Sequence, residues 1–274
     1  MAYVNPQPTG AALASYYPSK YYGSRHPIFK DFFMGLRADK LGKPREGARV
    51  LDIGCGRADF LLACRERGWG VAGVEQAESP VMALRDELRI DIKSPEQLAE
   101  FPSGSFDAVT LWHVLEHMAD PREVLRHAHR VLTPGGRLLV EVPNFGSWQA
   151  RLGGKIWYHL DVPRHLLHFD RGTLDHLLSS CGFRPRERST FSLEYDVFGM
   201  GQTLINRACR KPNYLFQVLI RQPVATGLRD KVVTFALLLP AFAIAGIASL
   251  AAPLVDRGGV LRVISEKVEP RTQR

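Results

Sequence analysis

From Arg49 to Val142 the chain alternates short apolar runs with segments of helical periodicity, and no other feature constrains its fold as strongly. ArgValLeuAspIle (49–53), GlyValAlaGlyValGlu (70–75), PheAspAlaValThrLeuTrp (106–112) and ArgLeuLeuValGluVal (137–142) read as buried strands, with Arg89–Ile92 as a shorter one between them. Helical patterns fill the gaps: residues 59–67, a run from Ser79-Pro80 to Leu88, and residues 121–132, where Asp120 is placed as N-cap and Pro121 at the first helical position. A further helix over 172–181 and an extended run near 186–195 follow. Strands and helices in this order predict an α/β, doubly wound, mostly parallel sheet with helices on both faces.

Length and composition agree. The chain has 274 residues, 45% apolar and 23% charged, as expected for one large domain or one domain with an appendage. Disordered, collagen-like and coiled-coil chains are excluded. Cys55, Cys64, Cys181 and Cys209 have no paired spacing and are expected to be reduced thiols of a cytosolic protein. The stretch MAYVNPQPTG at the start has two prolines and no apolar run, so no secretory signal is expected there. The net charge of +8 is unevenly spread: residues 1–204 hold 25 Lys/Arg against 24 Asp/Glu, and residues 205–274 hold 11 against 4. A basic end beside an apolar segment fits an anionic membrane surface, whereas a nucleic-acid enzyme would be basic around its cleft. No nucleic-acid partner is expected.

The turn ValLeuAspIleGlyCysGlyArgAlaAsp (50–59) joins a strand to a helix. Gly54 and Gly56 allow a ligand close to the backbone and expose helix N–H groups. A dinucleotide fingerprint would have a third glycine where Asp59 stands. With Asp52 just before the glycines, the two carboxylates suit a cationic or zwitterionic ligand and argue against NAD.

LeuAspIleGlyCysGly (51–56) resembles the first motif of class I S-adenosylmethionine-dependent methyltransferases. GlyValGlu (73–75), PheProSerGlySerPheAspAlaVal (101–109) and LeuThrProGlyGlyArgLeuLeuValGluValProAsn (132–144) resemble later motifs of that family in the same order. LeuTrpHisValLeuGluHis (111–117) and HisLeuAspValProArgHisLeuLeuHisPhe (159–169) are similar to a bacterial subset that includes ubiquinone-type O-methyltransferases and envelope-glycan methyltransferases. The resemblance covers about residues 48–200. It implies a Rossmann-like, seven-stranded sheet with an antiparallel last strand. It also implies S-adenosyl-L-methionine as cofactor, bound by Asp52, Gly54, Gly56, Glu75 (on the ribose hydroxyls), Gln76 and Trp112. The chain departs from the family at Ile92-Lys93-Ser94, which lacks the acidic residue that often meets the adenine amine.

Methyl transfer from a sulfonium needs alignment first, and a base only where the acceptor is a neutral hydroxyl or amine. The candidates are His113, directly after the fourth strand, and His165 and His168, in the segment where this fold places substrate loops; the alternative for the latter two is a loop brace. His113 and His117 are four apart, as a zinc pair would be, but no third ligand stands at a telling spacing, so no metal is expected. His117 reads as a structural contact to Glu116. Tyr16, Tyr17, Tyr21 and Tyr22 form either a lid or a packed lead-in.

Val232 to Val255 is 24 residues without a charge, long enough to cross a bilayer of about 30 Å. Pro240 is expected to divide it, and residues 259–267 read as the final strand. The expectation is a re-entrant or interface-lying helical hairpin, flanked by Arg221, Arg229, Lys231, Arg257, Arg262 and Lys267. The chain thus divides into a cap (1–48), a cofactor domain (49–204), a basic apolar insertion (205–258) and the last strand with its tail (259–274). The expected function is methylation of a lipid-linked or amphipathic acceptor on the cytoplasmic face of the membrane. The alternatives are a soluble small-molecule O-methyltransferase whose apolar segment makes a homo-oligomer, and a non-catalytic membrane adaptor.

Overall fold

A computed structural model describes residues 2–8, 27–76, 80–220 and 226–268. The tyrosines at 16, 17, 21 and 22 lie outside the described residues, as does Arg221. Seven strands form one sheet: β1 (Arg49–Ile53), β2 (Gly70–Val74), β3 (Asp91–Lys93), β4 (Phe106–Trp112), β5 (Leu132–Pro143), β6 (Phe183–Ser189) and β7 (Val260–Lys267). Their spatial order is β3-β2-β1-β4-β5-β7-β6. The first five strands pair in parallel, and β7 inserts antiparallel between β5 and β6. This is the expected doubly wound sheet with an antiparallel last strand, which lies in its interior.

The helices are α1 (Pro27–Asp39), α2 (Asp59–Glu66), α3 (Pro80–Leu88), α4 (Pro121–Val131), α5 (Trp148–Gly153), α6 (Arg171–Ser180), α7 (Leu193–Asn206), α8 (Tyr214–Leu219) and α9 (Leu228–Ala251). Asp120 caps α4 as expected, accepting from the backbone N–H groups of Arg122 and Glu123. Because β1, β4 and β5 are buried on both faces, each supplies side chains to two cores. Leu51, Leu111 and Leu138 enter the core under α4 and α6, while Val50, Ala108 and Leu139 enter the core under α1 and α2. The reversal of strand order between β1 and β4 opens a crevice at the carboxyl ends of the strands, where α/β sheets of this kind take their ligands.

Pro240 does not divide the apolar segment. Helix α9 runs unbroken from Leu228 to Ala251 with Pro240 inside it, and no hairpin forms. The proline faces outward, while Asp230, Thr234, Ala241, Ala245 and Ser249 lie on the buried face, so packing along α7 and α8 carries the helix across the missing N–H. The opposite face presents Leu228, Val232, Phe235, Leu239 and Leu250 to the outside, Leu239 at 82% exposure. Small and polar residues inside with large apolar residues outside reverse the arrangement of a helix that faces water. Within the stretch Leu228–Val255 an 18-residue window reaches a mean hydropathy of 2.2.

Two of the cations assigned to the flanks of this segment belong to the sheet instead. Arg262 is ion-paired with the buried Glu141, and Lys267 donates to the carbonyl of Leu132. Of the others, Arg229 and Lys231 stay on the surface, and Arg257 donates to the carbonyl of Gly146.

A buried carboxylate ties the segment's return to the sheet. Asp196 in α7 accepts from the backbone N–H of Ser192 (2.5 Å) and from that of Gly259, just before β7. Burial pushes its acid up to about 6, against the two backbone hydrogen bonds. Replacing it strands two buried donors, at roughly 1–3 kcal/mol each. Asp196→Ala should therefore lower the urea midpoint, by about 2–5 kcal/mol of stability, with an unchanged slope; a midpoint equal to wild type would show that this tie carries no weight.

Candidate active site

The crevice is built from the turns at the carboxyl ends of β1, β2, β4 and β5. After β1, Gly54 has φ +77° and a Cβ there would lie 2.4 Å from Val114 Cγ2; Gly56 has φ +57°. Only glycine combines that backbone with that closeness at position 54. The loop is pinned by the Gly54 N–H donating to Val74 O (2.7 Å).

Glu75, at the end of β2, is buried and faces this loop. Its Oε2 accepts from the Gly56 N–H at 2.6 Å, and Oε1 accepts from the N–H of Gln76 at 2.9 Å. The backbone thus aims the carboxylate across the crevice, while the Gln76 side chain is exposed. Asp52 is buried one residue before the β1 carboxyl end, and Thr110 Oγ1 donates to it at 2.6 Å. Burial pushes its acid up to about 7; Thr110 and Arg37 oppose that rise and Glu75 adds to it. A buried carboxyl poised between its two states is suited to a cation. Asp59 is engaged differently: it pairs with Lys30 of α1 at 2.9 Å and lies at the start of α2.

Trp112 closes β4. Its ring carries the Arg37 guanidinium at 5.2 Å from the centroid and meets Phe60 edge-on at 5.5 Å. Arg37 reaches from α1 to donate to Glu194 (2.6 Å) and to the Tyr195 hydroxyl (2.9 Å) at the start of α7. Burial opposes its charge, but Tyr195, Glu194 and Glu141 together hold the guanidinium above its ordinary value. Arg37 therefore bridges the two helices over the end of β4. Sequence reasoning missed it, since one arginine in an amphipathic helix looks like any other surface cation.

His113 stands where the sequence placed it, but the role of base does not fit its surroundings. Its Nε2 is 3.2 Å from Glu141 Oε1, its Nδ1 is 3.4 Å from Glu116 Oε1, and its ring lies 4.0 Å from that of Tyr195. Burial disfavours the charged ring, yet Tyr195 and the two carboxylates outweigh it and push the pKa up to about 10. A ring held as imidazolium donates from both nitrogens and has no lone pair with which to take a proton. Its φ of +55° is rare outside glycine and is fixed by its own N–H, which donates to Glu141 O (2.8 Å). Glu141 also receives Arg262 at 2.6 Å; despite burial, His113 and Arg262 pull its acid down to about 2.

His165 and His168 are both buried, and burial pulls both below the ordinary histidine value, so both are neutral at pH 7. His165 Nδ1 donates to His159 O (2.8 Å), and His168 stacks on Phe145 with 5.5 Å between ring centroids. His159 is likewise neutral, held at about 3 by burial and by the His113 charge. His117 is not grouped with His113. Its ring meets His165 edge-on at 4.7 Å, and Glu116, His117 and His165 bring one ligating atom each to within 4.8 Å of one another.

The sheet and this crevice have counterparts among solved proteins. An S-adenosylmethionine-dependent methyltransferase from Archaeoglobus fulgidus superposes with a TM-score of 0.55 at 21% identity, over 93% of this chain and 99% of that one. A geranyl diphosphate methyltransferase superposes at 0.53 and 16% identity, over 87% and 78%. These likenesses concern the fold. In sequence, the ubiquinone biosynthesis O-methyltransferase of Pseudomonas aeruginosa is 37% identical over 105 residues, 36% of this chain and 45% of the relative. That of Xanthomonas oryzae pv. oryzae is 34% identical over 134 residues, 46% and 54%. The chain thus spans about half the length of the curated relatives it matches. A family described as "Methyltransferase domain" matches residues 29–187, more than half of the chain and all of the strands that form the crevice. The chain belongs to this methyltransferase domain family.

Proposed function

We propose that the protein transfers a methyl group from S-adenosylmethionine to a lipid-linked or amphipathic acceptor at the cytoplasmic face of a membrane. Support for the cofactor comes from Glu75 and the glycine loop, whose backbone holds the Glu75 carboxylate near Asp52. Vicinal ribose hydroxyls would donate to Glu75, and the sulfonium cation would favour the ionised form of Asp52. Gly54 and Gly56 let the amino-acid end of the cofactor approach the loop, and Trp112 and Gln76 border the same strand ends. The name of the relatives supports a hydroxyl as the acceptor group. His113, as imidazolium, positions the acceptor and stabilises negative charge on it, and the neutral His168 serves as the candidate base, since the Nδ1–H of His165 is tied to the carbonyl of His159.

The membrane half of the proposal rests on one observation, the inverted face of α9. A helix that keeps Thr234, Ala241, Ala245 and Ser249 inside while exposing Leu239 and Leu250 is covered by something apolar in its working state. Its surroundings connect that surface to the crevice. α9 lies along α7, with Phe242 against Gly201, and the first turn of α7 supplies Tyr195 to the ring of His113. An acceptor drawn from the bilayer side would reach the cofactor past α7.

Purified protein should sediment with vesicles of anionic phospholipid and be only partly released by 1 M salt, because screening removes the charge contribution and leaves apolar burial. Leu239→Asp with Leu250→Asp should abolish sedimentation while S-adenosylmethionine binding persists. A protein that stays in the supernatant as a dimer, and becomes monomeric in the double variant, would instead make this face a subunit interface.

Two calorimetric predictions test the cofactor site. Glu75→Ala removes charge-assisted hydrogen bonds of roughly 1.5–3 kcal/mol each and should weaken S-adenosylmethionine binding at least about tenfold. An unchanged Kd in a folded variant would remove Glu75 from the ribose.

Asp52 gives a pH signature. Its acid is held near 7 in the free protein, and a bound cation lowers it, so binding expels protons. Affinity should rise about three- to tenfold from pH 5.5 to 7.5. Asp52→Asn should flatten that dependence; a flat wild-type profile would place the cation elsewhere.

A further inference from the structure

We propose that Glu116, His117 and His165 form a binding site for a divalent metal ion of the zinc type. The three residues offer one carboxylate oxygen and two imidazole nitrogens within 4.8 Å of one another, close enough to converge on one ion with small side-chain adjustments. They come from two separate segments. Glu116 and His117 lie in the helical turn Leu115–His117 after β4, and His165 lies in the segment that leads to the strand Leu167–His168.

Glu116 carries the first independent observation. It is 1% exposed, and among the described residues neither of its side-chain oxygens has a hydrogen-bond partner. Its nearest cation, His113 Nδ1, lies 3.4 Å from Oε1 without hydrogen-bond alignment. A desolvated carboxylate whose one cation stands at the edge of hydrogen-bond reach of one oxygen, with none at the other, is poorly compensated, a cost of several kcal/mol in general. Buried carboxylates of this kind are stabilised by a paired charge or a metal; His113 is shared between Glu116 and Glu141, which leaves Oε2 of Glu116 for a metal.

The second observation is the state of the two imidazoles. His117 Nδ1–H donates to the carbonyl of Arg164 (3.0 Å), and His165 Nδ1–H donates to the carbonyl of His159 (2.8 Å). A carbonyl only accepts, so in both rings Nδ1 carries a proton, and Nε2 is the nitrogen left to face an ion. Backbone carbonyls that hold metal-binding histidines in this tautomer are the usual outer shell of such sites. His113, donating toward Glu116 from its other side, fits the same outer shell.

Two imidazoles and one carboxylate select a borderline cation, zinc above magnesium or calcium, which prefer oxygen ligands. Three protein ligands also leave a coordination position open, where an oxygen of the acceptor would bind. That role for the open position rests on the proposed function; the ion site itself does not.

The test uses the full chain, stripped with EDTA and dialysed. Titration with zinc chloride by calorimetry, with metal content by mass spectrometry, should show one zinc per chain. Cobalt(II) in its place should give visible d–d absorption. Glu116→Gln and His165→Ala should each weaken zinc binding by at least about 100-fold, and His129→Ala should leave it unchanged, since that ring bonds the carbonyl of Val268 elsewhere in the fold. S-adenosylmethionine titration of the same samples reports folding: retained cofactor binding shows that the loss of zinc is local. No zinc bound by the wild type at 100 µM, or stoichiometric zinc in both ligand variants, would overturn the site. Zinc bound with no affinity for S-adenosylmethionine would leave the site standing and sink the methyltransferase reading instead.

Discussion

Everything at the carboxyl end of the sheet is arranged around one desolvated carboxylate, Glu141. At 1% exposure in β5 it would be costly alone, and it is compensated by cations from three directions. His113 comes from the end of β4, Arg262 from β7, and Arg37 from α1 lies close enough to lower its acid further. Each of those cations then fixes something else. Arg262 locks the register of β7 at the strand inserted last into the sheet. His113 holds the turn after β4 and faces Glu116. Arg37 ties α1 to the start of α7 and covers Trp112. Packing alone would leave these elements free to shift against one another, whereas a charge buried without its partner costs several kcal/mol. The shape of the crevice is set by this network.

The alternation of strands and helices was legible in the sequence because it depends on local patterns. The expected bounds of α2, α4, α6 and β7 differ from the observed ones by a residue or so, whereas the strand expected near 186–195 runs from Phe183 to Ser189 and residues 193–195 belong to α7. Asp52, Gly54, Gly56 and Glu75 were legible for the same reason, since a strand, a glycine turn and a helix are consecutive. Partnerships across the chain could not be read. Nothing near Arg37 in sequence announces Glu194, 157 residues away, and nothing near His117 announces His165. The four-residue spacing of His113 and His117 suggested a pair, but the turn after β4 sends His113 to Glu141 and His117 to the other side. Pro240 misled in a related way. A proline interrupts an isolated helix, yet here one face of the helix is packed along most of its length and the cost is absorbed there.

The inverted helix changes the meaning of the basic end of the chain. Its net charge suggested a ring of cations around an apolar segment. In the structure Arg262 is spent on Glu141 and Lys267 on a backbone carbonyl, both within the sheet. The described cations left for an anionic surface are fewer: at the start of α9 Lys231 is exposed, and Arg229 is exposed but ion-paired with Asp230. Adhesion by this face would therefore draw mainly on apolar area and only secondarily on charge.

The same helix is held by polar groups at both of its ends, to the segment after α7 at one and to the start of α7 at the other. Asp230, at the start of α9, accepts from the backbone N–H groups of Arg210 and Lys211, and Asp196, in the first turn of α7, accepts from the N–H of Gly259 after α9 ends. Between those ties the small-residue face of α9 lies against α7. A helix held in this way cannot turn to stand across a bilayer without breaking both ties and uncovering Asp230 and Asp196, two carboxylates whose backbone donors would be lost with them. It can, however, lie in the plane of a surface with every one of these bonds intact. The polar ties thus favour contact along the length of α9 over insertion end-on, and they keep the same α7 that packs on this helix in place over His113.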